Sequence, residues 1–193
     1  MTDSATHLRL DAHAITVLAH PLRSRLVSTL RIGGPATATA LARALDTNSG
    51  ATSYHLRRLA EVGLVIDTGE GDGKSRVWAA AGEATQIVPS DVEGDADAET
   101  ALGWLERDWL RHLTDKLGRW LDLRHLWPVA WRDAASLNDA MVLVTPEQLT
   151  AMQSEIDGIV ARYARVGAGN PEAKRVAAYA IYYPVDLDKA PRR

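Results

Sequence analysis

Residues 52–65 read TSYHLRRLAEVGLV. At about 100° per residue, Thr52, Leu56, Leu59, Ala60 and Gly63 fall in one sector, while Gly50, Ala51, Tyr54, Arg57 and Arg58 fall on the other side. The stretch predicts a helix with a buried leucine face and a flank where a tyrosine stands with two arginines. Asn48 or Ser49 supplies the N-cap and Gly63 the stop. The helix starts with small residues, so its free N–H groups and positive dipole end can approach another surface closely. One turn later, the arginines can bond phosphates or, through two donors at once, a guanine edge. A helix about 12 Å across fits the DNA major groove.

The neighbouring sequence supplies a frame for such a helix. Residues 11–20 predict a short helix, and Pro21 opens a second that Gly33-Gly34-Pro35 ends. Residues 37–46 predict a third, with Thr37 or Thr39 as N-cap and Leu41 and Leu45 on one face. The link TNSG joins it to the helix at 50–62, a helix–turn–helix spacing. LVIDT (64–68) and RVWAA (76–80) flank the Gly-rich GEGDGKS and predict a β-hairpin, with Lys74 and Arg76 near its tip. There they reach flanking backbone phosphates. GEGDGKS is not a phosphate loop, because Thr68 stands where the first glycine is required and a β-prone run follows.

Composition sets the class. The chain has 193 residues, 46% of them hydrophobic, enough for one large domain or two small ones. With no cysteine, disulfides and thiolate metal sites are excluded, and a reducing compartment fits. The N-terminal stretch lacks the apolar run of a secretory signal, and no run approaches the length of a membrane span. These features predict a soluble, cytoplasmic protein with no membrane partner. The net charge of −3 is unevenly spread. Residues 1–82 hold nine of the 22 basic and seven of the 25 acidic residues, an excess of two positive charges, so the acidity lies in the remainder.

The stretch 83–100 carries six acids and no base and predicts an acidic linker. From Ala101 to about Leu126 a long helix is expected, with Leu102, Leu105, Trp109, Leu113, Leu117, Trp120 and Trp127 in one sector, widened by Leu110 and Leu121. So broad an apolar stripe predicts a core face or a dimer seam, carried by Leu105, Trp109, Leu113, Leu117 and Trp120. Residues 136–145, 146–166 and 174–187 read as strand, helix, strand. The fold class expected is thus mostly α with a small β component: an N-terminal winged helix–turn–helix (1–82), a long amphipathic helix, and a small C-terminal α/β region. Residues 101–193 are expected to serve dimerisation or to hold a small-molecule effector, for which Tyr179, Tyr182 and Tyr183 are candidate lining. Trp104 lies off the apolar sector and covers the linker, a partner or a pocket. Asp108 and His112, at i and i+4, read as an ordinary solvated pair rather than metal ligands. No arrangement of nucleophile, base and acid is supported, so an enzyme is not expected.

Residues 11–82 resemble the winged helix–turn–helix domain of ArsR-type transcriptional repressors. The resemblance rests on LAHPLRSRLVSTL (18–30), ATALARALDTNSGATSYHLRRLAEVGLV (38–65) and the hairpin to Trp78. It implies DNA contacts at Ser53, Tyr54 and Arg57, and structural roles for His55 and the His20-Pro21 pair. Together with the residues read directly, the candidate DNA-binding set is Ser49, Gly50, Thr52, Ser53, Tyr54, Arg57, Arg58, Lys74 and Arg76. The metal-sensing members of that family use cysteines or a His/Asp cluster, and neither pattern is found: there is no Cys, and no His between His55 and His112. Glu70 and Asp72 at the hairpin tip oppose phosphate. The sequence therefore predicts a homodimeric regulator of double-stranded DNA, a repressor, with no metal and no cofactor. The competing expectation is a winged-helix adaptor that binds an acidic protein partner and not DNA.

Overall fold

The computed structural model describes residues 7–71, 75–82 and 84–188. The chain divides into two units, Met1–Leu143 and Val144–Arg193.

In the first unit each of the first four helices starts on a side-chain cap. Helix α1 (Ala12–Leu18) begins where the Asp11 carboxylate accepts the Ala14 N–H. In α2 (Pro21–Gly33), His20 Nδ1 accepts the Leu22 N–H and proline occupies the first turn, where its missing donor costs nothing. Thr37 caps α3 (Ala38–Ala44), and Asn48 caps α4 (Ser49–Glu61) through the Ala51 N–H. Each cap satisfies a donor that the helix cannot. Gly63, at φ +69°, lets the chain reverse so that the Leu64 N–H closes back on Leu59 O.

The predicted hairpin forms as β3 (Val65–Asp67) and β4 (Val77–Ala80), antiparallel, with Val65 opposite Ala80. A two-residue strand, β2 (Ala36–Thr37), pairs with the other edge of β4 and gives the order β2-β4-β3. This third strand ties the wing to the start of α3. One core joins these parts: Ile15, Leu18, Leu26, Leu41, Leu56, Leu59, Leu64 and Trp78 are buried together.

The stretch expected to be an acidic linker belongs to the packed unit instead. Within it, β5 (Ala84–Gln86) pairs in parallel with β1 (His7–Arg9), and Arg9 grips Asp91 through two hydrogen bonds of 2.9 and 2.7 Å. Val92 and Ala98 enter the core, while Asp91, Glu93, Asp95, Asp97 and Glu99 stay exposed. The acids decided the composition, but two small apolar side chains decide the placement. Glu83 lies outside the described residues. Helix α5 (Ala96–Leu123), capped by Asp95, starts five residues earlier than expected and packs on α1 through Ala98, Leu102 and Leu105. Trp104 packs against this core. A 3₁₀ turn (Arg124–Leu126) and a short helix α6 (Val129–Ala134) follow.

In the second unit, α7 (Pro146–Tyr163) opens with a reciprocal capping box between Thr145 and Gln148. The strands expected at 136–145 and 174–187 are not formed among the described residues. A strand needs a ladder partner for its N–H and C=O groups, and neither segment has one here. Tyr179 and Tyr183 are exposed. No helix among the described residues is long and apolar enough to cross a membrane.

Candidate nucleic-acid interface

Helix α4 is held from below. Leu56 and Leu59 are fully buried, and α3, α2, α1 and β3 all pack against the helix. Thr52 is also fully buried, and its hydroxyl donates to Asn48 O at 3.0 Å. That overturns its place among the surface contacts: the same sector that carries the leucines carries Thr52, and its oxygen is committed inside the helix. Ser49 and Gly50, in the first turn, are exposed, and Ser53 is half-buried.

On the opposite flank Tyr54 is 55% exposed. Arg57 is exposed, its Nε donating to Ser53 O at 3.1 Å, so its two terminal NH₂ groups remain available. Arg58 pairs with Glu61 one turn on. An exposed pair of this kind is worth little and exchanges readily for another anion. The flank expected to stand clear of the core does so.

Behind this flank sits a compact basic and aromatic group. The rings of His20 and His55 lie 4.5 Å apart, and Tyr54 meets His55 edge-on at 5.2 Å. Burial lowers the pKa of both histidines, and for each the positive charge of Arg23 adds to the effect. Burial, followed by the nearby charge of Arg58, lowers that of Arg23, whose Nε is bound to Val17 O. The neutral His20 ring is the acceptor that caps α2, which gives the His20-Pro21 pair the structural role expected of it. His55 Nδ1 is buried and has no hydrogen-bond partner among the described residues.

The wing contributes through its stem. Arg76 is exposed and lies 3.5 Å from Asp67, across the hairpin. Glu70 is exposed at the wing. Lys74 and Asp72 lie outside the described residues. Between the wing, α4 and the start of α3 runs a cleft of about 330 Å³, lined by Thr37, Thr39, Ser53, Arg57, Ser75 and Arg76. The sequence marks Thr37 and Thr39 only as cap candidates and Ser75 not at all, because the cleft forms only when β2 brings residue 37 beside β4.

Along α5 the predicted stripe divides. Leu105 is core, whereas Trp109 is exposed and Leu113, Leu117 and Trp120 are half-buried. Asp108 corrects the reading of a solvated pair. It is 5% exposed and accepts from Ser24 Oγ of α2 at 2.9 Å and from Arg111 at 2.9 Å, with His112 Nε2 at 3.4 Å. Among the described residues no group of three or more His, Asp or Glu is placed to hold a metal ion.

One comparison with known families bears on this geometry. Residues 18–68 match a family model described as a helix-turn-helix domain. No curated protein matches the chain. Among solved structures the chain is similar to a "possible transcriptional regulator for arsenical resistance", at 29% identity over 57% of this chain and 95% of that one, with a TM-score of 0.32. It is also similar to a double mutant of Lactococcus lactis ZitR in apo form, at 16% identity over 74% of this chain and 89% of that one, with a TM-score of 0.30. Residues 18–68 are thus a helix–turn–helix, and the β3–β4 hairpin makes it a winged one.

Proposed function

We propose that the chain is a sequence-specific DNA-binding transcriptional regulator, a repressor that acts as a homodimer and does not respond to metal. The observation that carries this reading is the two-sidedness of α4. Its leucine face is locked into the core, and the opposite flank offers Ser49, Gly50, Tyr54, Arg57 and Arg58 to a partner. Two such helices related by a twofold axis would enter successive major grooves with half-sites about 34–36 Å apart. Ser53, Arg57 and Arg76 would fix the docking on backbone phosphates, and Arg58 would leave Glu61 to meet DNA.

The absence of cysteine from the whole chain supports an input other than metal. The exposed apolar stretch of α5 beyond Asp108 supports self-association, since α1 and the first turns of α5 already bury each other within one chain.

The test is a gel-shift titration of the purified full chain against DNA from upstream of its own coding region, beside Arg57→Ala/Arg58→Ala protein. The wild type shifts the DNA, and the variant loses roughly 1–3 kcal/mol if an arginine reads a base, or shows a shallower salt slope if both meet phosphate. Equal affinity and equal salt dependence in the two proteins reject this docking. A wild type that shifts nothing favours the adaptor reading.

A further inference from the structure

The second unit carries apolar surface that nothing within one chain covers: none of its described residues is buried. Along α7, Leu149, Met152, Ile156, Ile159 and Tyr163 recur every three or four residues as one stripe, and none of them is enclosed. Residues 173–184 run without helix, turn or bend, yet join no ladder among the described residues. In this run the large exposed side chains Tyr179, Ile181 and Tyr183 share the odd-numbered face, while 178 and 180 are alanine and 184 is proline. A straight run of this kind lacks only a neighbour for its N–H and C=O groups.

We infer that the neighbour is the same segment of a second copy, laid antiparallel with Ile181 opposite Ile181, and that the two α7 stripes cover the resulting sheet. The segment is complementary to itself in this register. Tyr179 of each copy faces Tyr183 of the other, a cross-strand aromatic pair on the apolar face. Lys174 and Arg175 of each copy come beside Asp186 and Asp188 of the other. A register centred on Tyr179 instead sets Arg175 against Tyr183 and Asp186 against Glu172, so the charges select the first. With Ile181 in a hydrogen-bonded pair, Pro184 falls in a non-hydrogen-bonded one, where its missing N–H points to the outer edge. The ladder stays intact and the edge is a poor template for a third strand. The exposed large apolar side chains between Ile159 and Leu187 offer on the order of 1,000 Å² per copy, against about 800 Å² per partner in an ordinary specific contact. The inference rests on the homodimer reading above and is independent of the DNA reading. Two strands alone pair only marginally, so this ladder adds to the α5 seam rather than replacing it.

The experiment exploits the absence of cysteine from the chain. Full-length Ile181→Cys and Val176→Cys proteins are treated with a short bismaleimide and run on denaturing gels, with circular dichroism to verify folding. In the inferred register two copies of residue 181 lie about 5.5 Å apart, whereas two copies of residue 176 lie ten positions out of step, about 34 Å apart. Ile181→Cys protein should therefore cross-link to a covalent dimer and Val176→Cys protein should not. No cross-link at 181, or equal cross-linking at both positions, overturns the pairing. Sedimentation equilibrium of Ile181→Pro protein, which loses one ladder donor per copy, should show dimer dissociation raised about tenfold or more. A dimer of unchanged affinity overturns the inference and leaves the homodimer reading standing. A wild type that stays monomeric rejects the homodimer reading itself. If that monomer still protects its 178–184 amides from hydrogen exchange, the segment has found its partner strand within one chain, and the inference fails on its own account.

Discussion

Leu56 and Tyr54, two positions apart on α4, meet opposite surroundings. Leu56 is enclosed by the other core side chains, and Tyr54 faces solvent. Leu56→Ala should cost about 2–5 kcal/mol of stability, because it removes buried methyl groups and leaves a cavity that the packed helices fill only in part. Tyr54→Ala should change stability by under about 0.5 kcal/mol. Urea unfolding curves for the two variants, read at constant slope, check both. The histidines behind Tyr54 give a pH dependence with a definite sign. Burial holds the folded-state pKa of His20 and His55 below the usual imidazole value, and the Arg23 charge acts the same way on each. The unfolded chain takes up these protons near pH 6.5, and the folded chain only at lower pH. Stability is therefore intact above about pH 6.5 and falls as pH drops beneath it. The Arg9–Asp91 pair, which holds Asp91 below the usual carboxylate range, fails only as pH drops under about 3.9. Denaturation midpoints measured from about pH 7 to pH 5 should decline in wild type and decline less in His55→Gln. A flat wild-type profile across that interval contradicts the assignment.

Between elements, the bond from Ser24 of α2 to Asp108 of α5 is a buried polar link beside the apolar core. Removing either partner leaves the other buried without it, so a double-mutant cycle of Ser24→Ala and Asp108→Ala should return a coupling of about 0.5–3 kcal/mol. A coupling near zero, measured by the same unfolding curves, means the bond adds nothing. Legibility in the sequence follows how local the cause is. Helices α2, α3 and α4 could be read because caps, stops and leucine spacing all lie inside the segment. The β1–β5 pair could not, since two three-residue strands about eighty positions apart have no joint signature. The same holds for β2, and with it for the cleft that it helps to form. Thr52 shares its sector with the leucines, and that helical angle, rather than its hydroxyl, decides that it is buried. Residues 136–145 and 174–187 have the composition of strands, but composition gives no partner.

For the molecule as a whole, the decisive feature is how α5 is shared out. Its 28 residues span about 42 Å, and only the first turns reach the core. Past Asp108, Trp109, Leu110 and Leu121 are exposed, Leu113, Leu117 and Trp120 half-buried, and Trp120, Trp127 and Trp131 form a ladder of edge-to-face rings at 5.6 and 6.0 Å. An apolar surface of this extent on one helix face is what a symmetric pairing of two copies would bury. Leu117→Glu/Trp120→Glu should then convert a dimer into a monomer in sedimentation velocity, with the fold retained by circular dichroism. Since two α4 helices tied together bind two half-sites as one event, the monomer should also lose about 100-fold or more in affinity for a two-site duplex while keeping its affinity for a single half-site. Leu105→Ala supplies the contrast: Leu105 lies in the core of its own chain, so that variant should unfold earlier without changing the association state of the folded protein. If the double glutamate variant sediments as a dimer, the twofold axis passes elsewhere. The spacing of the two recognition helices would then have to be set by another face.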